Sequence, residues 1–317
     1  MGNMDSVDVV GRKAMLEWLS SHISQYLSEA PDVLWHYTDA NGVRGILAAD
    51  NLWATNARFL NDSEEIAYGM ELATKALASH DLGGRKPATI RFIQGLGDPD
   101  RKIVRSFLDG HLDAFVACFC GDGDLLSQWR AYAGNDSAGG YAIGFRPAGA
   151  LPAWPQSAPG GHDLALRRVL YDRAQQDTVL RDLITSLLDI LDTDPADIER
   201  QKAFAKHLVN GLVEAVMWCK HPAFEEEQEW RIVYIRSDDP NPLKLRHRVG
   251  RGLIIPFVEL AVPRGVGANF QFLPVAHINC GPSAEPDLKQ RGVRSLLDTD
   301  PRFAHVTVGG SLAPLRL

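Results

Sequence analysis

Short apolar runs, which are bounded by turn-forming residues and do not alternate regularly with helices, constrain the fold of this chain most strongly. The runs at Val33–Thr38 and Ala114–Cys120 are rich in aromatic and β-branched residues, which predicts strands. Strands are likewise predicted at Asn51–Asn56, Tyr141–Phe145, Arg167–Tyr171, Glu229–Ile235, Gly252–Glu259, Val275–Cys280 and Ala304–Val308. This order predicts an α+β fold rather than a doubly wound sheet. No G-x-G-x-x-G follows a strand, so the common dinucleotide-binding fold is not indicated.

Amphipathic segments between these runs predict the helices. Apolar residues recur at helical spacing over 12–29, and further helices are predicted at 43–49, 64–79, 103–112, 125–133, 178–191, 197–217 and 287–297. The segments 81–101 and 147–161 are rich in glycine and proline and are expected to be a surface excursion and a loop. We therefore expect an N-terminal helical extension over 1–30. A single α+β domain over 31–317 follows, with a helical insertion near 175–217.

Composition limits the partners. The chain has 317 residues and a net charge of −7, which argues against broad binding to nucleic acid or anionic membranes but leaves room for a local basic groove. No apolar run is long enough to span a bilayer, and the first residues lack a secretory pattern. We therefore expect a cytoplasmic protein without a membrane partner. The four cysteines form no C-x-x-C, which favours free thiols and no metal site.

The first concentration of polar side chains follows the Val33–Thr38 run. Alternation places His36 and Thr38 on one face of the strand and Trp35 and Tyr37 on the other. A histidine in this position either belongs to a polar site or satisfies a backbone carbonyl in the core. The sequence leaves both interpretations open.

The second concentration lies on the helix predicted over 125–133. Gln128 and Tyr132 are four residues apart and share a face, as do Trp129 and Tyr132 at three residues. Such a face can stack against a planar ring and form hydrogen bonds around it. Alternatively, Trp129 and Tyr132 are core residues whose polar tips are satisfied.

The third concentration is the acidic run over 225–229, which leads directly into a strand. A period of two places Glu227, Glu229 and Arg231 on one face. Glu229 is then positioned for an ion pair with Arg231, or to stabilise a cation. A solvated surface run is the alternative.

Other chemistries have weaker signals. A serine-hydrolase elbow, a P-loop and an H-E-x-x-H motif are absent from the sequence. A metal-dependent nuclease is disfavoured because consecutive carboxylates on an extended segment cannot all face one ion. The basic residues Arg246, His247, Arg248 and Arg251 form either a phosphate-binding patch or a solvated loop.

Taken together, these segments resemble a widespread bacterial family known as domain of unknown function 2971. The matching pieces, in family order, are Leu34–Thr38, Gly45–Leu47, Leu52–Thr55, Phe59–Glu65, Leu126–Tyr132, Gly140–Phe145, Lys220, Phe224, Glu227–Ile232, Gly281–Pro282 and Ser311–Arg316. The resemblance covers about 31 to 317. Each piece alone is weak, and together they are specific.

That family in turn resembles distant ADP-ribosyltransferases, which implies split, mostly antiparallel sheets around an NAD cleft, with additional helices. The catalytic signature of that superfamily is a histidine, a tyrosine or serine, and a glutamate. His36 resembles the first of these, Tyr132 or Ser127 the second, and Glu229 with Glu227 the closing Glu-x-Glu. The spacing from His36 to Glu229 is longer than in compact toxins of that superfamily.

The resemblance also implies roles for these residues. His36 would hydrogen-bond the ribose, and Tyr132 or Tyr37 would stack on the nicotinamide. Glu229 would stabilise the oxocarbenium-like ribose, and Glu227 would orient or deprotonate the acceptor. Arg130 or Arg231 would meet the pyrophosphate. The remaining residues expected to bind NAD are Thr38, Thr55, Asn56, Ser127, Gln128 and Trp129.

The sequence therefore predicts a cytoplasmic NAD-dependent ADP-ribosyltransferase or NAD-cleaving enzyme, either a bacterial toxin or a phage-defence effector. The acceptor, protein or nucleic acid, is left open. The alternative is a non-catalytic module that binds a nucleotide or a partner on the same fold.

Overall fold

A computed structural model describes most of the chain from residue 31 onward. The described residues are 31–60, 63–97, 113–132, 139–146, 166–193, 208, 211–236, 242–250, 252–261 and 272–313. The predicted helices over 12–29 and 103–112, the loop over 147–161 and much of the predicted helix over 197–217 lie outside these ranges.

Within the described residues, strands and helices are mixed, which confirms the α+β class. The strands are β1 Leu34–Thr38, β2 Asn51–Asn56, β3 Ala114–Phe119, β4 Tyr141–Phe145, β5 Leu166–Arg168, β6 Trp230–Ile235, β7 Arg246–Gly250, β8 Leu253–Ala261, β9 Val275–Cys280 and β10 Thr307–Gly310. The α-helices are α1 Ala40–Ala49, α2 Ser63–Ala78, α3 Pro87–Gly97, α4 Leu126–Tyr132, α5 Arg173–Thr193 and α6 Pro286–Leu297, and 211–217 is also helical. Short 3-10 helices span Ala57–Phe59, Pro222–Glu227 and Pro301–Phe303. None of the helices described here is long and apolar enough to cross a membrane.

The described strands form two sheets that meet at the end of β3. One has the order β1-β4-β9-β10 and the other β5-β6-β3-β2-β8-β7. Pairing is antiparallel except between β9 and β10. The start of β3 pairs with β2, and its end reaches β1 through two backbone hydrogen bonds between Trp35 and Cys120, at 2.9 and 2.8 Å. The sheets therefore diverge along β3.

Helix α1 connects the two sheets. The Asp39 side chain accepts a hydrogen bond from the Gly42 backbone N–H, and the helix begins at Ala40, earlier than the predicted Val43. It ends at Asp50, which has a left-handed conformation. The strand–helix–strand unit predicted over this region exists, but its two strands belong to different sheets.

The core follows the period of two in β3. Phe115 and Ala117 pack between the two sheets, against side chains of β1, β4 and β9. Val116 points to the opposite face and joins a second cluster with α2, α5 and the helical segment 211–217. Both faces of the six-stranded sheet are thus covered near its centre, which explains why β3 reads as a continuous apolar run.

Two expectations for secondary structure were wrong. Helix α3 lies within the segment expected to be a surface excursion: Pro87 occupies its first turn, where proline is tolerated, and Ile93 is buried. The basic residues from Arg246 form strand β7 rather than a loop, whereas Arg251 is outside the described residues. The β7–β8 hairpin exposes three large apolar side chains, Val249, Leu253 and Ile254.

The packing between the sheets predicts that truncating a buried side chain of β4 strongly destabilises the protein. Ile143 is fully buried and lies between β1 and β9. We expect Ile143→Ala to lower the free energy of unfolding by about 2–5 kcal/mol, because it leaves a cavity in the core. The exposed Val249→Ala should change it by no more than about 0.5 kcal/mol. Urea unfolding of both variants measures the difference, and equal effects would contradict the assigned core.

Candidate functional site

A cavity of about 310 Å³ lies where β3 ends, α4 begins and the 3-10 helix Pro222–Glu227 leads into β6. It is lined by Trp35, Tyr37, Leu60, Glu65, Cys118, Cys120, Gln128, Ala131, Lys220, Phe224, Glu227, Glu229 and Arg231. Its volume is at the lower end of the range for small-molecule sites. Aromatic side chains and charged groups therefore share one enclosure.

Five buried or nearly buried charged groups form one wall of this cavity. Arg231 donates through Nε and Nη2 to the two carboxylate oxygens of Glu229, both at 2.8 Å, and Nη2 also reaches Glu65 at 2.5 Å. Nζ of Lys220 contacts Glu65 at 2.7 Å, Glu227 at 2.5 Å and Glu229 at 3.0 Å. With all groups ionised, three carboxylates face two cations. The cluster then carries one net negative charge.

The local sequence explains how two of these carboxylates converge. Glu229 immediately precedes β6, whose register places Arg231 opposite Cys118 of β3. Glu227 is the last residue of the 3-10 helix, and Gln228 follows with φ of 43°, in the left-handed region. This turn directs Glu227 toward Lys220. The expected ion pair of Glu229 with Arg231 is confirmed, but Glu227 comes from the 3-10 helix and not from the face of the strand.

The two carboxyl groups have opposite pKa shifts. Burial alone would raise the pKa of Glu229, but the charges of Arg231 and Lys220 outweigh it and lower the pKa to about 2. Burial raises the pKa of Glu227, and Lys220 offsets this only in part. Glu227 is therefore the group of the pair that more readily takes up a proton.

Two thiols complete the charged wall. Burial raises the pKa of Cys118 and of Cys120 well above the usual range, and the charge of Glu229 adds to the effect. All four cysteines are free, as expected from the sequence. The two thiols are therefore protonated at neutral pH and act as small polarisable lining groups.

Helix α4 is fixed by the loop that precedes it. The Tyr37 hydroxyl donates to the Asp122 carbonyl at 3.0 Å and accepts from the Leu125 backbone N–H at 2.9 Å. Trp129 is fully buried, and its Nε1 donates to Asp124 at 2.7 Å. Trp129 is thus a core residue, the alternative interpretation of the sequence, whereas Gln128 on the same helix lines the cavity.

The other predicted residues of α4 have different positions. Ser127 is half-buried and does not line the cavity, and Arg130 is exposed. Tyr132 is the last residue of the helix. Its side chain lies outside what the structure describes, so its catalytic role remains a prediction.

His36 lies at the junction of the sheets and not on the cavity wall. Its Nδ1 donates to the Cys118 carbonyl oxygen at 2.9 Å, and its ring lies beside Phe119, with centroids 5.9 Å apart. Burial lowers its pKa, which favours the neutral imidazole. This contact with a backbone carbonyl is the one that the core interpretation of the sequence describes.

Three further residues expected to bind NAD also lie away from the cavity lining. Thr55 accepts a hydrogen bond from Arg248 at 3.2 Å. Asn56 caps a 3-10 helix by accepting from the Arg58 backbone N–H at 3.1 Å, and Thr38 is half-buried next to α1. The structure thus brings together Tyr37, Gln128, Glu227 and Glu229, and leaves His36 and these three residues at the diverging sheets.

Among the lining residues that were not predicted as site residues, four carry a carboxylate, a thiol or an amine: Glu65, Cys118, Cys120 and Lys220. Glu65 and Lys220 belong to the segments that carry the family resemblance. A pair of carboxylates that leads into a buried strand needs a cation nearby. The signal in the sequence for that cation was Lys220, a charged residue directly after a strongly apolar segment.

Comparison with known proteins identifies one segment. A family model described as "Protein of unknown function (DUF2971)" matches residues 128–232, a range that contains Gln128, Lys220, Glu227, Glu229 and Arg231. The match supports the family resemblance over that segment. Searches of curated proteins and of solved structures gave no match.

The shifted pKa of Glu229 predicts a pH-dependent contribution to stability. Because the pKa falls from about 4.5 to about 2 on folding, the contribution is complete above about pH 4.5 and is lost as the pH falls toward 2. We expect Glu229→Gln to lower the free energy of unfolding by about 3 kcal/mol at pH 7, with the deficit shrinking as the solution becomes more acidic.

Urea unfolding at stepwise pH values from 7 to 3 measures this deficit. Glu226→Gln is the matched control, because Glu226 is exposed and belongs to the same acidic run. It should follow the wild type at every pH. A deficit for Glu229→Gln that stays constant with pH would show that charge pairing is not its cause.

Proposed function

We propose that this protein is an NAD-dependent ADP-ribosyltransferase or NAD-cleaving enzyme that breaks the nicotinamide–ribose bond in this cavity. The observation that carries the proposal is the meeting of Glu227 and Glu229 with the aromatic residues Trp35, Tyr37 and Phe224 around one small enclosure. Such a lining suits a planar cationic ring, which the aromatic side chains can contact, with an adjacent sugar near the carboxylates.

The charge of the cavity wall supports this choice of substrate. A net negative cluster attracts the positively charged nicotinamide ring of NAD. When the glycosidic bond breaks, positive charge moves to the ribose, and fixed carboxylates nearby stabilise it. Arg231 and Lys220 hold Glu229 in place before any ligand enters, so little reorganisation accompanies the reaction.

The opposite pKa shifts suit the two carboxyl groups to different roles in the reaction. Glu229 remains ionised and acts electrostatically on the developing ribosyl cation. Glu227 has the raised pKa, and among the described residues its ion pair is with Lys220, so it is suited to accept a proton from the attacking group. That group is either water or a hydroxyl, amine or guanidinium of an acceptor.

The proposal includes an ADP-ribosyltransferase-like fold. Two largely antiparallel sheets that diverge from β3 support it, because that arrangement is the one implied by the family resemblance. In this arrangement His36 acts through the backbone: its ring fixes the carbonyl of Cys118, whose side chain lines the cavity. An enzyme of this kind in the cytoplasm would act as a toxin or defence effector by consuming NAD or modifying a macromolecule.

Release of nicotinamide from NAD tests the proposal. We expect Glu227→Gln to lower the rate of NAD cleavage by about 10²–10⁴-fold, because the proton acceptor is lost while the ion-pair network around Glu229 remains. Glu226→Gln is again the matched control and should retain the wild-type rate. Chromatography of released nicotinamide, with and without candidate protein or nucleic-acid acceptors, provides the measurement.

A second candidate, a non-catalytic binding module, is favoured by one observation: both oxygens of Glu229 are engaged by Arg231. Calorimetry separates the two candidates. Binding of NAD without release of nicotinamide, in the presence of every acceptor tried, selects the module. Cleavage that Glu227→Gln leaves unchanged rejects the catalytic assignment.

A further inference from the structure

The side-chain amide of Gln128 differs from the charged groups that line the same cavity. Gln128 is only 6% exposed and lies on the cavity wall. Among the described residues, its side chain has no hydrogen-bond partner. An amide that is taken out of water without a partner costs free energy, and most buried polar groups in folded proteins are therefore paired. We take this amide as a group that is kept for the occupant of the cavity.

The other strongly polar groups of the wall are already engaged. The Tyr37 hydroxyl donates to one backbone carbonyl and accepts from one backbone N–H. Glu229 binds both Lys220 and Arg231. These groups set the shape and charge of the cavity. Gln128 adds a donor and an acceptor side by side, on one planar group.

The position of this amide is set by the packing of α4. Trp129, the next residue, is fully buried and lies edge-on to the Tyr37 ring, with centroids 4.7 Å apart. Asp124 accepts from Nε1 of Trp129 and from the Leu312 backbone N–H, both at 2.7 Å. The backbone that carries Gln128 is thus anchored on two sides. An anchored group loses little conformational freedom when a ligand binds to it.

A flat aromatic wall lines the same cavity. The Trp35 ring is held close to two glycines: a Cβ atom at Gly123 would lie 2.3 Å from the ring and one at Gly144 3.0 Å. The ring also packs against His277, with centroids 5.8 Å apart. Side chains larger than glycine would displace Trp35 from this position. An aromatic surface with a fixed position and a planar amide are therefore available to one ligand.

We infer that Gln128 recognises a carboxamide carried by a planar cationic ring. Its Nε2 donates to the carbonyl oxygen of the ligand, and its Oε1 accepts from the ligand's amide N–H, so that both amides are satisfied. The net negative charge of the neighbouring ion-pair cluster and the aromatic lining favour a ring that is positively charged. The identity of this ring as the nicotinamide of NAD rests on the proposed function.

The edge of an adenine base offers a donor and an acceptor in a similar arrangement, and glutamine binds it through two hydrogen bonds. Adenine is neutral, however, and gains nothing from a negatively charged wall. The charge of the cluster therefore favours the carboxamide of a pyridinium ring over a base, and the two sources are separated by experiment.

Two small cations test the inference by calorimetry. 1-Methylnicotinamide and 1-methyl-3-acetylpyridinium are both planar and singly charged and have a carbonyl oxygen at the same position, but only the first has amide N–H groups. We expect the wild type to bind 1-methylnicotinamide about tenfold more tightly, because the acetyl compound leaves Oε1 of Gln128 unpaired. Gln128→Met, which removes both polar atoms at similar length, should bind the two compounds equally.

The matched control is Gln175→Met, because Gln175 is an exposed glutamine on α5. It should discriminate between the two compounds as the wild type does. Thermal unfolding separates recognition from a structural role. Gln128→Met should unfold at the wild-type temperature or above it, since it removes an amide without a described partner. A lower midpoint together with unchanged discrimination would assign Gln128 to the fold and overturn the inference.

Three further outcomes overturn the carboxamide assignment: no binding of either cation by the wild type, equal binding of both, or discrimination that persists in Gln128→Met. Weakened binding of adenosine in Gln128→Met, with 1-methylnicotinamide unaffected, assigns the amide to a base instead and also overturns it. Neither cation can be cleaved at a glycosidic bond. If discrimination depends on Gln128 and NAD is never cleaved, the carboxamide site stands and the proposed function fails.

Discussion

The ion-pair network of Glu65, Lys220, Glu227, Glu229 and Arg231 is the interaction on which the site depends. Charges removed from water are tolerated only when partners and hydrogen bonds replace the lost hydration. Here the partners come from α2, from the turn that follows the helical segment 211–217, from a 3-10 helix and from β6. These elements must dock together before any one charge is compensated. The wall of the cavity therefore forms only where these elements have docked.

Within this network, the surroundings of two neighbouring carboxyl groups shift their pKa values in opposite directions. Glu229 lies two residues before Arg231 and accepts two hydrogen bonds from its guanidinium group. Glu227 instead accepts from Lys220 and lies at the end of the preceding 3-10 helix. Pairs of titratable groups whose surroundings move their pKa values apart are typical of sites that exchange protons. A single left-handed residue, Gln228, produces this asymmetry, because it separates the 3-10 helix from the strand.

The local sequence pattern was enough to predict features that depend only on neighbouring residues, such as strand bounds and one ion pair. Residue composition and flanking turns predicted β2, β4 and β9 with the observed bounds, and the period of two predicted the pairing of Glu229 with Arg231. The part played by Glu65 was not predictable, because it depends on α2 packing against a strand far along the chain. Helix α3 was not predicted because its segment is rich in glycine and proline, and β7 was not predicted because its segment is basic. His36 showed the limit most clearly, since either of its two interpretations fitted the sequence equally well.

The hairpin of β7 and β8 has a consequence for how molecules of this protein meet. Strand β7 is the last strand of the six-stranded sheet, as far as the structure describes it, and the side chains of Val249 on β7 and Ile254 on the neighbouring β8 are open to solvent. Such an edge invites a neighbour to add a strand. Arg246 on β7 and Glu259 on β8, whose side chains form an ion pair at 2.8 Å, place charged groups at this edge. Charged side chains on an edge strand disfavour the addition of a further strand, and high salt, which screens the charges, weakens this effect.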